Sequence, residues 1–185
     1  MKIYKFEEQL NDLFDYFILA DPFTLLEFKK QHNLPNDLIT TFTTTDFGEI
    51  AVRERKMIPL SQVQNYPYTI YFNLMGENIE LLKPQNDLQI HQKGYLLEVQ
   101  SEIICLFTIP YLKDFTVEKI DKLLKNRKAQ IKLPKGLYSI SILGGQTCQK
   151  TGKEPTFEFI ILPVEDTTTS NPKINVSFKI ESSEY

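Results

Sequence analysis

The amino-acid sequence predicts an α+β fold: mainly an antiparallel β-sandwich with peripheral helices, namely N-terminal helices and one at about residues 116–127. Three observations lead there. Short apolar or alternating segments recur every 8–12 residues between turn signals, the rhythm of a sandwich or barrel. Phe and Tyr number 13 and 9 against only 7 Gly, which suits a packed β-rich core. No strand-helix-strand alternation appears, which argues against a parallel nucleotide-binding sheet. At 185 residues the chain reads as one domain, residues 1–185, with a helical N-terminal segment (1–33) and a β-sandwich (38–180).

The opening segment reads as helix, because Phe6, Leu10, Leu13, Phe14, Phe17 and Ile18 recur at helical spacing with acids between them. A rival reading makes Tyr16 to Ala20 a strand. Asp21-Pro22 starts a second helix, with Asp able to cap and Pro pre-set for the first helical position. From Leu38 the texture turns β. Leu38 to Thr45 is rich in β-branched residues, Asp46-Phe-Gly48 reads as a turn, and Glu49 to Glu54 as a returning strand. Tyr68 to Leu74 is expected to pair with Asn78 to Leu82. Leu88 to His91 is expected to pair with Tyr95 to Val99 through Gln92-Lys-Gly. Ile103 to Ile109 is nearly all apolar, so it reads as a central strand covered on both faces.

Asp114 to Arg127 is the clearest helix, with Thr116 as cap, acids near its start and lysines near its end. Ile131 to Ile142 then reads as a hairpin turning at Pro134-Lys-Gly136. In it Ile131 and Leu133 share one face, as do Tyr138, Ile140 and Ile142. Gly144 to Glu154 reads as a polar loop, Phe157 to Leu162 as a strand, and Ile174 to Ile180 as a last alternating strand. The tail from Glu181 to Tyr185 reads as frayed.

Charge is unevenly placed. From Pro110 to Lys135 there are 8 basic and 3 acidic residues, leaving 13 basic and 21 acidic in the rest of a chain that nets −3. The protein is thus acidic with one basic helical patch. Such a patch is ordinarily a solvated helix face, with a phosphate or acidic-partner surface as the alternative. The start of the chain shows no signal-peptide pattern, and no stretch approaches the ~18 apolar residues of a membrane span. Cys105 and Cys148 lack a C-x-x-C spacing and read as reduced thiols. A cytoplasmic protein without membrane contact is expected.

Reactive groupings are sparse. His32 and His91 lie far apart with no third ligand beside either, so no metal site is expected. No nucleophile elbow or phosphate-cradling glycine motif is present, and apolar neighbours keep Cys105 protonated. Glu98 with Glu102, and Glu154 with Glu158, are the carboxylate pairs available for glycoside chemistry. They read better as solvated acids. The basic helix lacks interleaved aromatics, so direct nucleic-acid binding is not expected. No catalytic residue, cofactor or metal is assigned.

Leu133-Pro-Lys-Gly-Leu-Tyr138 with its following strand, a loop and Phe157-Glu-Phe-Ile-Ile-Leu162 resembles the C-terminal half of a small family of β-sandwich proteins. These are typified by the bacterial DNA-entry nuclease inhibitor of competence systems. A wider set of bacterial immunity-type proteins is similar. Thr45-Asp-Phe-Gly-Glu-Ile-Ala51 corresponds to a pattern near their front. The resemblance implies a non-enzymatic immunity or inhibitor protein that occludes the active site of a cognate toxin, a nuclease being one class. An acidic surface suits a basic, nucleic-acid-binding partner. The candidate contacts are Glu7, Glu8, Asp12, Asp15, Asp46 and Glu49. The alternative is a carbohydrate- or small-ligand-binding sandwich using Tyr66, Tyr68, Tyr71 and Tyr111 as a platform.

Overall fold

Two sheets face each other, and helices cover the free face of the smaller one. The computed structural model describes residues 2–9, 15–126, 128–150, 152–166, 168–169, 172–174 and 176–182. Leu10, Asp12, Leu13, Phe14, Arg127 and the last three residues of the tail lie outside the described residues.

The elements run β1 (Ile3–Gln9), β2 (Tyr16–Ala20), α1 (Pro22–Gln31), α2 (Leu38–Thr44), α3 (Phe47–Arg53), β3 (Met57–Ser61) and β4 (Pro67–Asn73). They continue with β5 (Asp87–Val99), β6 (Ile103–Thr108), α4 (Val117–Asn126), β7 (Gln130–Lys132), β8 (Gly136–Gln149) and β9 (Gly152–Val164). Short 3-10 helices at Glu80–Leu82 and Ile109–Asp114 complete them. One sheet has the order β1-β4-β9-β8-β5, the other β3-β2-β6-β7. Every pairing is antiparallel except β4 with β9. The α+β two-sheet architecture expected from the sequence is thus present.

The two-residue period of a strand decides the layers. Phe17 and Leu19 of β2, with Ile104 and Leu106 of β6, point between the sheets against Tyr68, Ile70, Phe72, Phe157 and Phe159. Their neighbours Ile18, Ala20, Cys105 and Phe107 point the other way, into the helices, where they meet Leu25, Phe28, Leu38, Ile120 and Leu123. That explains why Ile103 to Thr108 is nearly all apolar, as expected of a central strand. A third, small cluster of Leu81, Leu143 and Ile160 lies on the outer face of the five-stranded sheet, beneath the Glu80–Leu82 turn.

Several local expectations are corrected. The opening segment is not helical. Residues 3–9 form the edge strand β1, with Tyr4 and Phe6 packed on the inter-sheet core, and 16–20 form β2, the rival strand reading. Leu38 to Glu54 is helical rather than β. Asp37 caps α2 by accepting from the Thr40 amide at 3.0 Å and its hydroxyl at 2.8 Å. Thr41, Thr43, Thr44 and Thr45 return their hydroxyls to carbonyls four residues back, at 2.6–2.9 Å. Those bonds satisfy the hydroxyls without favouring the helix; the Asp37 cap and the burial of Leu38, Ala51 and Val52 override the β propensity of the threonines. Residues 80–82 form a 3-10 turn instead of pairing with β4. Asp87 to Val99 is one long strand with register shifts, not a hairpin at Gln92-Lys-Gly.

The Ile131 to Ile142 segment is also not a hairpin. β7 pairs with β6 and β8 pairs with β5 and β9, so Pro134-Lys-Gly136 carries the chain from one sheet to the other. The inward faces of its two strands are as expected. Gly144 to Glu154 is no loop, because β8 and β9 continue through it to a turn after Gln149. Two of its polar residues are buried with partners, Gln146 bonding the Ser182 hydroxyl at 3.0 Å and Thr147 the Thr156 hydroxyl at 2.7 Å. Residues 176–182 form a strap rather than a sheet strand. Ser61 bridges Ser177, the Phe178 amide donates to the Ser61 carbonyl, and Phe178 and Ile180 close the end of the inter-sheet core.

Candidate functional site

A groove of about 350 Å³ opens where α2 and α3 meet β3 and its neighbour β2 in the smaller sheet. Ile18, Ile39, Phe42, Val52, Met57 and Leu112 line its apolar part, and among the described residues Asp46 and Glu49 are the only charged ones in its wall. The α2–α3 corner is built for close approach. A Cβ on Gly48 would stand 3.0 Å from the Phe42 carbonyl oxygen and 3.2 Å from the Phe42 Cβ, so glycine lets α3 start against α2. Asp46 is the N-cap residue of α3, yet its side chain makes no capping hydrogen bond. Glu49 reaches Arg53 one turn on, at 3.1 Å. α3 is held to α1 through Phe47, whose ring lies 5.4 Å from His32, itself 4.5 Å from Phe28. Over residues 37–54 there are four acids (Asp37, Asp46, Glu49, Glu54) and one base (Arg53), so this helical corner presents a negative face. The Asp37 carboxyl is held below its usual range by the Thr40 amide and hydroxyl.

The expected contact residues are only partly brought together. Asp46 and Glu49 share the groove wall. Glu7 is exposed on β1, the edge strand of the other sheet. Asp15 is exposed just before β2, in the left-handed region at φ 49°. Asp12 lies outside the described residues. Glu8 is not an exposed acid. It is 8% exposed and accepts the amides of Lys128 and Ala129 at 2.7 and 2.8 Å, fastening β1 to the end of α4. The groove lining from Ile18, Ile39, Phe42 and Met57 has no sequence signal, because α2 and α3 themselves read as strands.

A larger cleft of about 690 Å³ lies between α3 and the β5 and β9 ends, and its charges cancel. Lys56 bonds Glu98, and Arg55 bonds Asp166 at 2.9 Å. Burial pushes the Glu98 carboxyl up, but the Lys56 and Gln100 hydrogen bonds outweigh it and leave the group below its ordinary value. A carboxyl depressed on folding contributes stability that is present above the unfolded pKa, about 4.3, and is lost as pH falls through the folded one. Lys56→Met leaves burial to act against fewer opposing bonds. We expect the Glu98 titration, followed by carboxyl-carbon NMR, to move upward, and the stability gap to the wild type to narrow below about pH 4.

The other candidate chemistries disperse. Glu102 does not line the cleft with Glu98. Glu154 accepts the Thr69 hydroxyl at 2.8 Å, while buried Glu158 accepts the Asn73 amide and the Leu81 N–H, both at 3.0 Å. Four strand residues separate those two acids by roughly 13 Å, beyond the ~5–9.5 Å of glycosidase pairs. Tyr68 is in the inter-sheet core with Tyr66 beside it, Tyr71 is on the outer face, and Tyr111 packs on Phe107 in the helical layer. They form no platform. Among the described residues no group of three or more His, Cys, Asp or Glu could hold a metal.

No family model and no curated protein matches the chain. Among solved structures, the fold is similar to that of ComJ, inhibitor of the DNA degrading activity of NucA, from Bacillus subtilis. That likeness has a TM-score of 0.46 at 14% identity, and covers 89% of this chain and 100% of that one.

Proposed function

We propose that this chain is an immunity or inhibitor protein that neutralises a basic toxin, a nuclease being the fitting class, by covering its active surface rather than by catalysis. The observation that carries the reading is the apolar groove whose charges, among the described residues, are the carboxylates of Asp46 and Glu49. A lysine or arginine from a partner has an apolar stem and a cationic head. The stem fits the floor formed by Ile39, Phe42 and Met57, and the head meets the two acids at the rim. The surrounding negative corner speeds capture of a basic partner and disfavours acidic ones. The sequence patterns at 45–51 and 133–162 resemble proteins of this class. Free thiols at Cys105 and Cys148 suit a reducing compartment such as the cytoplasm.

Immobilised protein should capture a toxin from the native cell, and co-expression should rescue growth against it. Reversing both charges, Asp46→Lys with Glu49→Lys, is expected to weaken capture at least about 30-fold while lowering the melting temperature by only about 2–6 °C, since two cations then sit at the start of α3 and Arg53 loses its partner. Failure of the wild-type protein to recover or neutralise any toxin would sink the proposal. Full activity of the double variant would remove the groove from it.

A further inference from the structure

We infer that the flank formed by α4 and β7 is a second binding surface, independent of the groove, which takes the phosphate backbone of a nucleic-acid strand without reading its sequence. Four lysines make it. Lys122 and Lys125 are exposed on α4, one turn apart and therefore surface neighbours. Lys128 is exposed just beyond the helix. Lys132 is exposed on β7, where alternation sends Ile131 between the sheets and Gln130 and Lys132 toward the helical side. The Gln130 side-chain amide donates to the Leu124 carbonyl at 2.7 Å, which sets that side of β7 against the end of α4. Lys132 therefore emerges beside the helical lysines.

The flank stays net positive although Glu118 and Asp121 stand one turn before Lys122 and Lys125: residues 117–132 hold six bases and two acids. Lys30, Lys56, Lys83, Lys179, Arg53 and Arg55 each hold a carboxylate. Among the described residues none of Lys122, Lys125, Lys128 and Lys132 is in an ion pair. Glu118 and Asp121 occupy the first half of α4, and Glu102 sits where β6 begins. Glu8, the buried acid that reaches the flank, is engaged by two backbone amides.

The chemistry favours phosphate over a protein partner. Protein interfaces need apolar or aromatic anchors and are depleted in lysine. The large hydrophobic residues exposed on the described surface are Leu82, Leu88 and Val117, and of these only Val117 is on α4, at its far end. A row of flexible point charges is enough for a phosphate backbone, and without arginine forks or stacking rings it reads no bases. The lack of interleaved aromatics bears on base recognition, which a backbone contact does not need; the remaining objection is the acidic balance of the chain outside residues 110–135. The fold removes that objection. The groove lies over β3 and β2 and the lysines lie at β7, on opposite edges of a sheet ordered β3-β2-β6-β7. Three inter-strand spacings put about 14 Å between the edges, more than the ~8 Å over which salt screens charge at physiological strength.

Fluorescence anisotropy with a labelled single strand of about 20 nucleotides, and with the matching duplex, tests this on the full chain. Four contacts predict a log–log salt slope of about −3 for the single strand, hence roughly 50-fold loss of affinity between 50 and 200 mM salt. The triple variant Lys122→Gln/Lys125→Gln/Lys128→Gln should flatten the slope to about −1 and keep the wild-type melting temperature. Asp46→Lys with Glu49→Lys should not weaken binding, which separates this surface from the groove and its toxin. Absence of binding at ~25 mM salt, or a triple variant that binds like the wild type, overturns the assignment. Polyglutamate that binds the flank in preference to DNA would also overturn it, in favour of an acidic polypeptide.

Discussion

Replacing Asp21 by Asn is expected to lower the folding free energy by about 3 kcal/mol. Asp21 is fully buried, and its side chain is surrounded by donors alone. One carboxylate oxygen accepts the amides of Phe23 and Thr24 at 3.0 and 3.1 Å and the Ser101 hydroxyl at 2.6 Å. The other accepts the amides of Gln100 and Ser101 at 2.8 and 2.7 Å. An asparagine keeps the shape but turns an NH2 toward backbone N–H groups, of which Gln100 alone keeps a second acceptor, the Thr24 hydroxyl at 3.2 Å. Each stranded donor costs about 1–3 kcal/mol, and for a chain of this length the melting temperature should fall by roughly 6–12 °C. Urea unfolding of the variant gives the free energy directly; a change under about 0.5 kcal/mol would refute this account. The same carboxylate caps α1 and ties it to the β5–β6 turn, and α1 braces α3 through Phe28, His32 and Phe47. Toxin capture through the groove should therefore weaken in step with stability in Asp21→Asn, unlike the charge-reversal variant.

Gly145→Ala should be similarly damaging, through packing rather than polarity. A Cβ at Gly145 would stand 1.9 Å from the Asp87 carbonyl oxygen and 3.1 Å from the Leu88 Cα, all backbone. No rotamer change relieves that overlap. β5 must draw away from β8 next to the place where their register already shifts, between Leu88 and Ile90. The expected loss is about 3 kcal/mol, the upper end for overpacking. Gly144→Ala provides the comparison. Its Cβ would meet the Ile90 Cδ1 and Phe157 Cε1 atoms at 3.0 Å, both side-chain atoms able to shift, so the expected loss is nearer 1 kcal/mol. Hydrogen exchange at residues 87–91 should accelerate in Gly145→Ala and much less in Gly144→Ala. Equal effects in the two variants would contradict the argument.

Both positions show what local reading can reach. Asp21-Pro22 announces a helix start, and α1 begins there. Nothing near it in sequence announces that its second oxygen waits for Gln100 and Ser101, 79 and 80 residues away. Gly144-Gly145 reads as loop because glycine pairs commonly are, yet here the missing side chains admit a neighbouring strand. The candidate site divides likewise. Asp46 and Glu49 were legible as acids at a corner. The groove behind them was not, because the threonine-rich segment that builds it has β propensity and becomes helical through an Asp37 cap and burial of its apolar residues in the helical layer.

By itself, the sequence determined the class of object: an α+β protein rich in antiparallel strands, a nearly all-apolar central strand at 103–108, an amphipathic basic helix at 117–126, and inward faces set by alternation at 131–142. Those features follow from periodicity and capping, which act within a few residues. Only the tertiary structure decided that Pro134-Lys-Gly136 crosses between sheets, that Glu8 is a buried fastener, and that the negative corner and the lysine flank stand at opposite edges of one sheet. Such outcomes depend on which strands pair across the chain. That choice is made by burial and hydrogen bonding between residues far apart in sequence, and no local pattern encodes it.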